Sequence, residues 1–338
     1  MQTLSEIREI LSAAGYRPRR GLGQNFLIDA GLMDKLLELA DLPVVSEAEW
    51  PVVSEAEWPV VSEAERLVVS EVERAGSETV LEVGAATGSL TEELIARAGR
   101  VVAVEVDKSL ADILHRRVGQ AKNLVILNRD ALAGKHEIAP EVLESLGGSV
   151  RVHLVANLPF NISVPLIMNC LVLSWRVEKK RLPAPLFSRL TFTVQREVAE
   201  RLTFGPGGKS YGPAGIIVAL LTRITPGRAI PPEAFWPKPK VNSRMLRLDF
   251  DVEAARRIID IDVLTAVLSA TFGHRRKMIS AAAKHKYLPF PPDRFRSALS
   301  EAGIDPSARP EQVSPQSFLA LSNLLSDVGT QKSSNVVQ

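Results

Sequence analysis

The chain has 338 residues, 46% of them hydrophobic and 24% charged, so it is long and apolar enough to bury a sizeable core, and disorder throughout is excluded. Its 41 Lys+Arg against 39 Asp+Glu leave a formal charge of +2, too small by itself to imply a polyanionic partner. One cysteine, Cys170, excludes an intrachain disulfide framework and fits a reducing cytoplasm, and the apolar run 214–221 is too short to cross a bilayer.

Read from the amino terminus, the first twenty residues carry Glu6, Arg8, Glu9, Arg17, Arg19 and Arg20 and lack the apolar stretch of a leader. Residues 44–75 then repeat an octad four times, as VVSEAEWP, VVSEAEWP, VVSEAERL and VVSEVERA. Pro51 and Pro59 deny the first two copies a continuous helix, so the repeat reads as a surface insertion of turns or extended chain with no chemistry of its own, the alternative being an acidic interaction arm. It holds eight Glu against Arg66 and Arg74, and removing it leaves 39 basic and 31 acidic residues, a balance of +8.

From Thr79 onward, β-branched runs at 79–83, 101–105, 124–128, 152–156, 190–194, 217–223 and 245–250 predict strands. Amphipathic stretches starting near Ser89, Ser109, Ser163 and Gln195 predict helices between them. Pro165, just after Ser163, is a helix-start signal, because proline in the first turn removes only an N–H that lacks a partner there. The alternation predicts an α/β fold with a mostly parallel sheet covered on both faces. Segments 178–185, 205–213 and 226–240 read as loops. After Asp251 the strand pattern fades, 261–272, 274–285, 293–302 and 315–325 read as helices, and the polar tail from Asp327 reads as frayed.

The chemistry gathers at the predicted strand ends. The first strand runs into Glu82-Val83-Gly84-Ala85-Ala86-Thr87-Gly88-Ser89, a turn with glycines where backbone must approach something bound. Glu105 closes the second strand, where a carboxylate can accept hydrogen bonds from ribose hydroxyls; Asp130 follows the third and Asn157 ends the fourth. In doubly wound sheets ligands bind at the carboxyl ends of strands, so the ordered set points to a nucleoside-containing cofactor. A nicotinamide fingerprint needs G-x-G-x-x-G to hold a pyrophosphate, and this turn is G-x-x-x-G with Ala86 at its centre. An adenosine ligand without phosphates fits better, and S-adenosylmethionine is one. Gly208-Lys209-Ser210 is not a phosphate loop, because Thr203 stands where the earlier glycine is required. The five histidines are scattered without ligand spacing, so no metal is inferred.

Asn157-Leu158-Pro159-Phe160 is the most informative segment. An adenine amine is a poor nucleophile because its lone pair is delocalised into the ring. Two acceptors holding its N–H groups favour a geometry that frees the pair, and the Asn157 amide oxygen and the Leu158 carbonyl are such acceptors. Pro159 fixes the turn without a competing donor, and Phe160 offers a ring on which a base can stack. Direct in-line transfer from a sulfonium methyl then needs positioning and electrostatics, and no base before attack. Standing alone, the segment would read as a tight turn with a buried Phe.

Several motifs together resemble the ribosomal RNA adenine dimethylase family. They are Gly21-Leu22-Gly23-Gln24-Asn25-Phe26-Leu27, the Glu82 turn, Asn157 to Ser163, Gln195-Arg196-Glu197-Val198, Tyr211-Gly212 and Pro237-Lys238-Pro239-Lys240-Val241-Asn242-Ser243, and the likeness runs over about 19–325. The resemblance implies a Rossmann-like seven-stranded methyltransferase domain over 1–251 interrupted by the repeat, a small helical RNA-binding domain over 252–326 and a flexible tail over 327–338. It implies S-adenosylmethionine-dependent dimethylation of N6 on two adjacent adenines near the 3′ end of small-subunit ribosomal RNA, by a cytoplasmic enzyme, a monomer with no membrane partner, that serves ribosome assembly. Asn25 and Leu27 would then line the cofactor site, Gly84 contact the methionine part, Glu105 the ribose and Asp130 the adenine, with Asn157 where cofactor and target amine meet. Two positions depart from the family pattern: Ala86 stands in a turn that usually reads Gly-Pro-Gly-x-Gly, and the aromatic after Pro159 is Phe160 where Tyr is common. The family also holds large-subunit methyltransferases of the antibiotic-resistance type, and Ala86 motivates a further alternative, a non-catalytic assembly factor of the same fold.

RNA binding has support independent of the family. Residues 271–300 hold seven Lys/Arg against Asp293, among them Arg275, Arg276 and Lys277, and Arg19 and Arg20 precede the glutamine-asparagine segment. Clustered charge of one sign is the footprint of a phosphate backbone, the alternative being a solvated basic helix. A base must leave its stack to be methylated, so the substrate should be a loop or an opened helix end.

Overall fold

The computed structural model describes residues 2–19, 23–42, 78–135, 137–147, 149–180, 182, 184–286 and 288–332; the octad repeat and Arg20 lie outside the described residues. The chain divides into two units, one of residues 1–170, 183–196 and 225–247, the other of 171–182, 197–224 and 248–338. The second is larger than the 252–326 segment read from sequence, because it also takes in two earlier stretches of chain.

The first unit opens with α1 (Leu4–Ala13), started by a capping box in which Thr3 and Glu6 satisfy each other's backbone N–H groups. A short strand β1 (Phe26–Leu27) and helix α2 (Ala30–Ala40), N-capped by Asp29, follow. Next come β2 (Thr79–Val83), α3 (Ser89–Ile95), β3 (Arg100–Glu105), α4 (Lys108–Val118), β4 (Leu124–Asn128), α5 (Pro140–Ser145) and β5 (Arg151–Asn157). Helix α6 (Ser163–Lys180) and β6 (Leu186–Gln195) complete the parallel part. Further along lie α7 (Arg196–Thr203), α8 (Pro213–Leu221), β7 (Thr222–Ile230), β8 (Phe235–Trp236) and β9 (Ser243–Phe250).

Seven strands form one sheet in the order β4-β3-β2-β5-β6-β9-β7. Strand β2 pairs in parallel with both β3 and β5, β3 with β4, and β5 with β6. The chain thus builds outward from β2 in one direction and then returns to build outward from its other edge. The order reverses between β2 and β5, which opens a crevice at their carboxyl ends. Every residue of β2 is buried, as a strand covered on both faces demands. Beneath the crevice, Leu36, Val80, Leu94, Val101, Val155 and Met245 belong to one buried cluster.

One predicted strand and one predicted helix differ, and the stretch 226–240 read as a loop holds the end of β7 and all of β8. Residues 217–223 are mostly helix: α8 starts with Pro213 in its first turn and buries Ile216, Ile217, Val218, Leu220 and Leu221, so it shows no polar face, and its β-branched run mimics a buried strand. The strand begins only at Thr222 and includes Pro226, tolerated because β7 is the edge of the sheet. Within 274–285 only a 3-10 turn, Ile279–Lys284, forms; its buried face is Ile279, Ala282 and Ala283, too few apolar contacts to sustain a long helix.

The second unit contains α7 from Glu197 on, α8, α9 (Val252–Arg256), α10 (Ile261–Phe272), α11 (Pro292–Glu301) and α12 (Pro315–Lys332). Helix α12 therefore runs through part of the tail read as frayed. Phe272 stacks against both Tyr211 and Phe318 at centroid distances of 6.1 and 5.8 Å, and the buried Tyr211 hydroxyl donates to the Val313 carbonyl at 2.8 Å.

Candidate active site

A cleft at the β2–β5 switch point encloses about 1110 Å³, part of it open to solvent. Asn25, Leu27, Gly84, Glu105, Asp130, Asn157, Leu158, Pro159 and Phe160 all line it. Residues far apart in sequence are thus brought together by the ends of β1, β2, β3, β4 and β5.

The turn after β2 forms one wall. Gly84 has φ +82°, and its N–H donates to the Val104 carbonyl at 2.8 Å. A Cβ here would stand 2.9 Å from Pro159 Cγ, so the left-handed backbone and the close approach both require glycine. Ala86 also takes a positive φ, +52°, a left-handed conformation uncommon for a residue other than glycine. Its N–H donates to Glu105 Oε2 at 2.9 Å, and it packs against a cluster that includes Ile7, Leu11 and Phe26. Thr87 is clamped by Gln2, whose Nε2 donates to the Thr87 carbonyl at 3.0 Å while the Thr87 hydroxyl donates to Gln2 Oε1 at 2.8 Å. Arg117 donates to the same carbonyl.

Glu105 is 5% exposed and accepts one backbone N–H on each carboxylate oxygen, from Ala86 and from Asp107, both at 2.9 Å. Burial raises its carboxyl above the ordinary range, opposed by those two N–H groups. Each oxygen keeps a lone pair, which suits a ligand hydroxyl. Behind it, burial pushes the Glu82 carboxyl up to about 8; the Thr91 hydroxyl, donating at 2.6 Å, opposes the rise and the charge of Glu105 adds to it. Asp130 is exposed, and its Oδ1 accepts from the Leu132 N–H at 2.9 Å.

The opposite wall is Asn157 to Phe160. Asn157 Nδ2 donates to the Asn25 carbonyl at 2.9 Å, and Oδ1 accepts from the Thr193 hydroxyl. The Leu158 side chain is 1% exposed and anchors the loop. Asn25 itself reaches this position through the antiparallel pairing of β1 with β8, Phe26 opposite Trp236 and Leu27 opposite Phe235. Upstream, the Tyr16 hydroxyl donates toward Asp107 Oδ2 and Gln24 Oε1 at 2.8 and 2.9 Å, and the Arg19 N–H donates to Gln24 Oε1 at 2.7 Å. The Arg19 guanidinium lies 3.4 Å from Asp107 Oδ2, so part of its charge is spent on holding this segment.

The donor set fits a polar nucleoside ligand. Gln24 Nε2, Ser89 Oγ and Arg129 Nε are buried polar atoms without a hydrogen-bond partner, and all three residues line the cleft. Orphaned buried polar groups concentrated in one cleft mark a place where a ligand completes the hydrogen bonding. Sequence reasoning missed these three, and also Gln2, Thr87 and Thr193. Ser89 and Thr87 lay inside the recognised turn; Gln2 and Thr193 carry no local pattern, since their partners are 85 and 36 residues away.

Arg275, Arg276 and Lys277 belong to the second unit. Arg275 pairs with Glu311 at 2.7 Å and donates to the Lys209 carbonyl at 2.9 Å, which makes it a strut as well as a charge. Arg276 and Lys277 are exposed. Arg294 and Arg296 pair with Glu301 and Asp293, both at 2.8 Å.

Known proteins resemble this chain over nearly its whole length. A profile described as ribosomal RNA adenine dimethylase matches residues 15–327. "Ribosomal RNA small subunit methyltransferase A" of Shouchella clausii is 31% identical over 96% of this chain and 95% of its own length. The protein of the same name from Clostridium perfringens strain SM101 is 30% identical over 94% of each. Among solved structures, a dimethyladenosine transferase from Plasmodium falciparum superposes with a TM-score of 0.64 at 21% identity, covering 90% of this chain and 98% of that one. The 23S rRNA methyltransferase ErmE gives 0.54 at 22% identity, covering 89% and 100%, and both structural likenesses speak to the fold. With the profile spanning nearly the whole chain, the protein belongs to the ribosomal RNA adenine dimethylase family.

Proposed function

We propose that this protein transfers methyl groups from S-adenosylmethionine to N6 of two adjacent adenines near the 3′ end of small-subunit ribosomal RNA. The reading is carried by the meeting, in one cleft, of a nucleoside cradle (Gly84, Glu105, Asp130) and the Asn157–Phe160 loop, and it agrees with the small-subunit name of the relatives. S-adenosylmethionine supplies an electrophilic methyl group on a sulfonium. The chain's own residues do the rest. Asn25, Leu27 and Gly84 hold the methionine end, Glu105 accepts from the ribose hydroxyls, and Asp130 with Arg129 meets the adenine. Asn157 Oδ1 and the Leu158 carbonyl accept the two N–H bonds of the target amine and turn its lone pair toward the methyl. Phe160 stacks on the flipped base, and Pro159, in contact with the Gly84 turn, sets the spacing between donor and acceptor. The proton is acidic only after transfer, so no base is required beforehand.

The substrate in this reading is the assembling small subunit, and the enzyme works as a cytoplasmic monomer. Arg276 and Lys277 contribute phosphate contacts, with Arg275 bracing the loop beside them. Among the described residues no helix is long and apolar enough to cross a membrane. Incubation with labelled S-adenosylmethionine and unmethylated small subunits, followed by mass spectrometry of the RNA, tests the proposal. Label in two adjacent adenines near the 3′ end supports it; label confined to large-subunit RNA, or absent from adenine, overturns it. Sedimentation of the active protein checks the monomer.

A further inference from the structure

Two hydrogen bonds lock the Asn157 amide into one orientation, and a third ties down the residue after it. Its Nδ2 donates to the Asn25 carbonyl at 2.9 Å, its Oδ1 accepts from the Thr193 hydroxyl, and the neighbouring Leu158 N–H donates to the Thr193 carbonyl at 3.3 Å. A carbonyl can only accept, so the Asn25 oxygen fixes the amide nitrogen on its own side and the amide oxygen on the other. The Thr193 hydroxyl can donate or accept, and opposite that oxygen it must donate. Thr193 stands directly across from Asn157 in the β5–β6 register and is 1% exposed, so it has little freedom to turn elsewhere.

We propose that Thr193 is a positioning residue for methyl transfer, holding the Asn157 amide so that one lone pair of Oδ1 stays directed at the target amine. This rests on the reading that Asn157 receives that amine. The terminal torsion of an asparagine is broad and roughly two-fold, so an amide tethered only through its nitrogen would sample other angles. The threonine hydroxyl removes that freedom before the substrate arrives, and its partial positive charge leaves the oxygen an acceptor without making it a base. The carbonyl of the same residue fixes the backbone that carries the second acceptor, Leu158. One residue on β6 thus sets both acceptors. Thr193 itself touches neither cofactor nor substrate, because it lies behind Asn157 and is absent from the cleft lining.

The test uses the full chain, small-subunit RNA with its target adenines unmethylated, and single-turnover rates at saturating cofactor, with cofactor affinity measured separately by calorimetry. Thr193→Val keeps the shape of a buried strand residue and removes only the hydroxyl. The transfer rate should fall on the order of 10- to 100-fold, the effect of a misplaced reacting group, while cofactor affinity holds. Thr193→Ser, which restores a donor, should recover most of the rate, and Thr193→Ala serves in place of valine if that variant folds poorly. In an Asn157→Ala background, Thr193→Val should cost nothing further, because the two residues act as one unit. A wild-type rate for Thr193→Val, or a serine variant as slow as the valine one, overturns the proposal while leaving the role of Asn157 intact. Full transfer by Asn157→Ala alone removes that role, and the proposal with it.

Discussion

The two walls of the cleft are fixed by different means. The turn after β2 is held through its backbone: carbonyls and N–H groups of Gly84, Ala86 and Thr87 are tied to Val104, Glu105, Gln2 and Arg117. Across the cleft, the Asn157–Phe160 loop has a backbone tie from the Leu158 N–H to the Thr193 carbonyl, but its reactive atom is set through a side chain, the Asn157 amide strung between Asn25 and Thr193. A backbone cradle shapes a surface against which a ligand lies, whereas an oriented amide aims a particular atom. Damage to the first should therefore appear in cofactor affinity, and damage to the second in the rate of transfer.

The largest expected effect is on the aimed side. On the proposed function Asn157→Ala removes an acceptor for the target amine, and it should lower transfer by on the order of 100-fold or more, while cofactor binding by calorimetry survives in part. Equal loss of both would erase the distinction between the walls. On the cradle side, Gly84→Ala forces a side chain into left-handed backbone at about 1–2 kcal/mol and drives its Cβ toward Pro159, so cofactor affinity should weaken on the order of tenfold. Gln2→Ala leaves the buried Thr87 hydroxyl without its acceptor and should weaken cofactor binding several-fold with an unaltered rate at saturation; a slower saturated rate would mean that the turn also aims.

The smallest effect concerns pH. Glu82 is held protonated up to about 8 when folded, against 4.5 as its ordinary value, so between these values the native state binds a proton that the unfolded chain has released. Stability from this group falls as pH rises through that window. Glu82→Gln should flatten the decline in melting temperature over that range, and an unchanged slope would show that the carboxyl is ionised in the folded protein.

Much of this was legible in the sequence because strand ends announce themselves. Strands 79–83 and 124–128 fall where the apolar runs place them, and the nine cofactor and target residues expected from sequence share one cleft. Apolar period fixes where a strand stops, and in a parallel sheet the ligand sits where strands stop. The helix over 213–221 was not legible, because a segment apolar all round carries no period to read. Neither were Gln2 and Thr193, whose significance lies in a partner that only folding supplies. Whole-chain charge misled in its own way: +2 averages an acidic repeat with a body at +8, and some of that positive charge, in Arg275, Arg294 and Arg296, is paired with carboxylates in the folded unit.

The second unit is drawn from three separate stretches, 171–182, 197–224 and 248–338. No single cut releases it. A fragment beginning at residue 252 would lack Tyr211, and with it the aromatic contact to Phe272 and the hydroxyl bond to Val313. Gene fusion at one joint could not have appended such a unit to a bare methyltransferase core, nor could exchange of the C-terminal segment transplant it between relatives. Exchange of this unit between relatives would have to carry all three stretches.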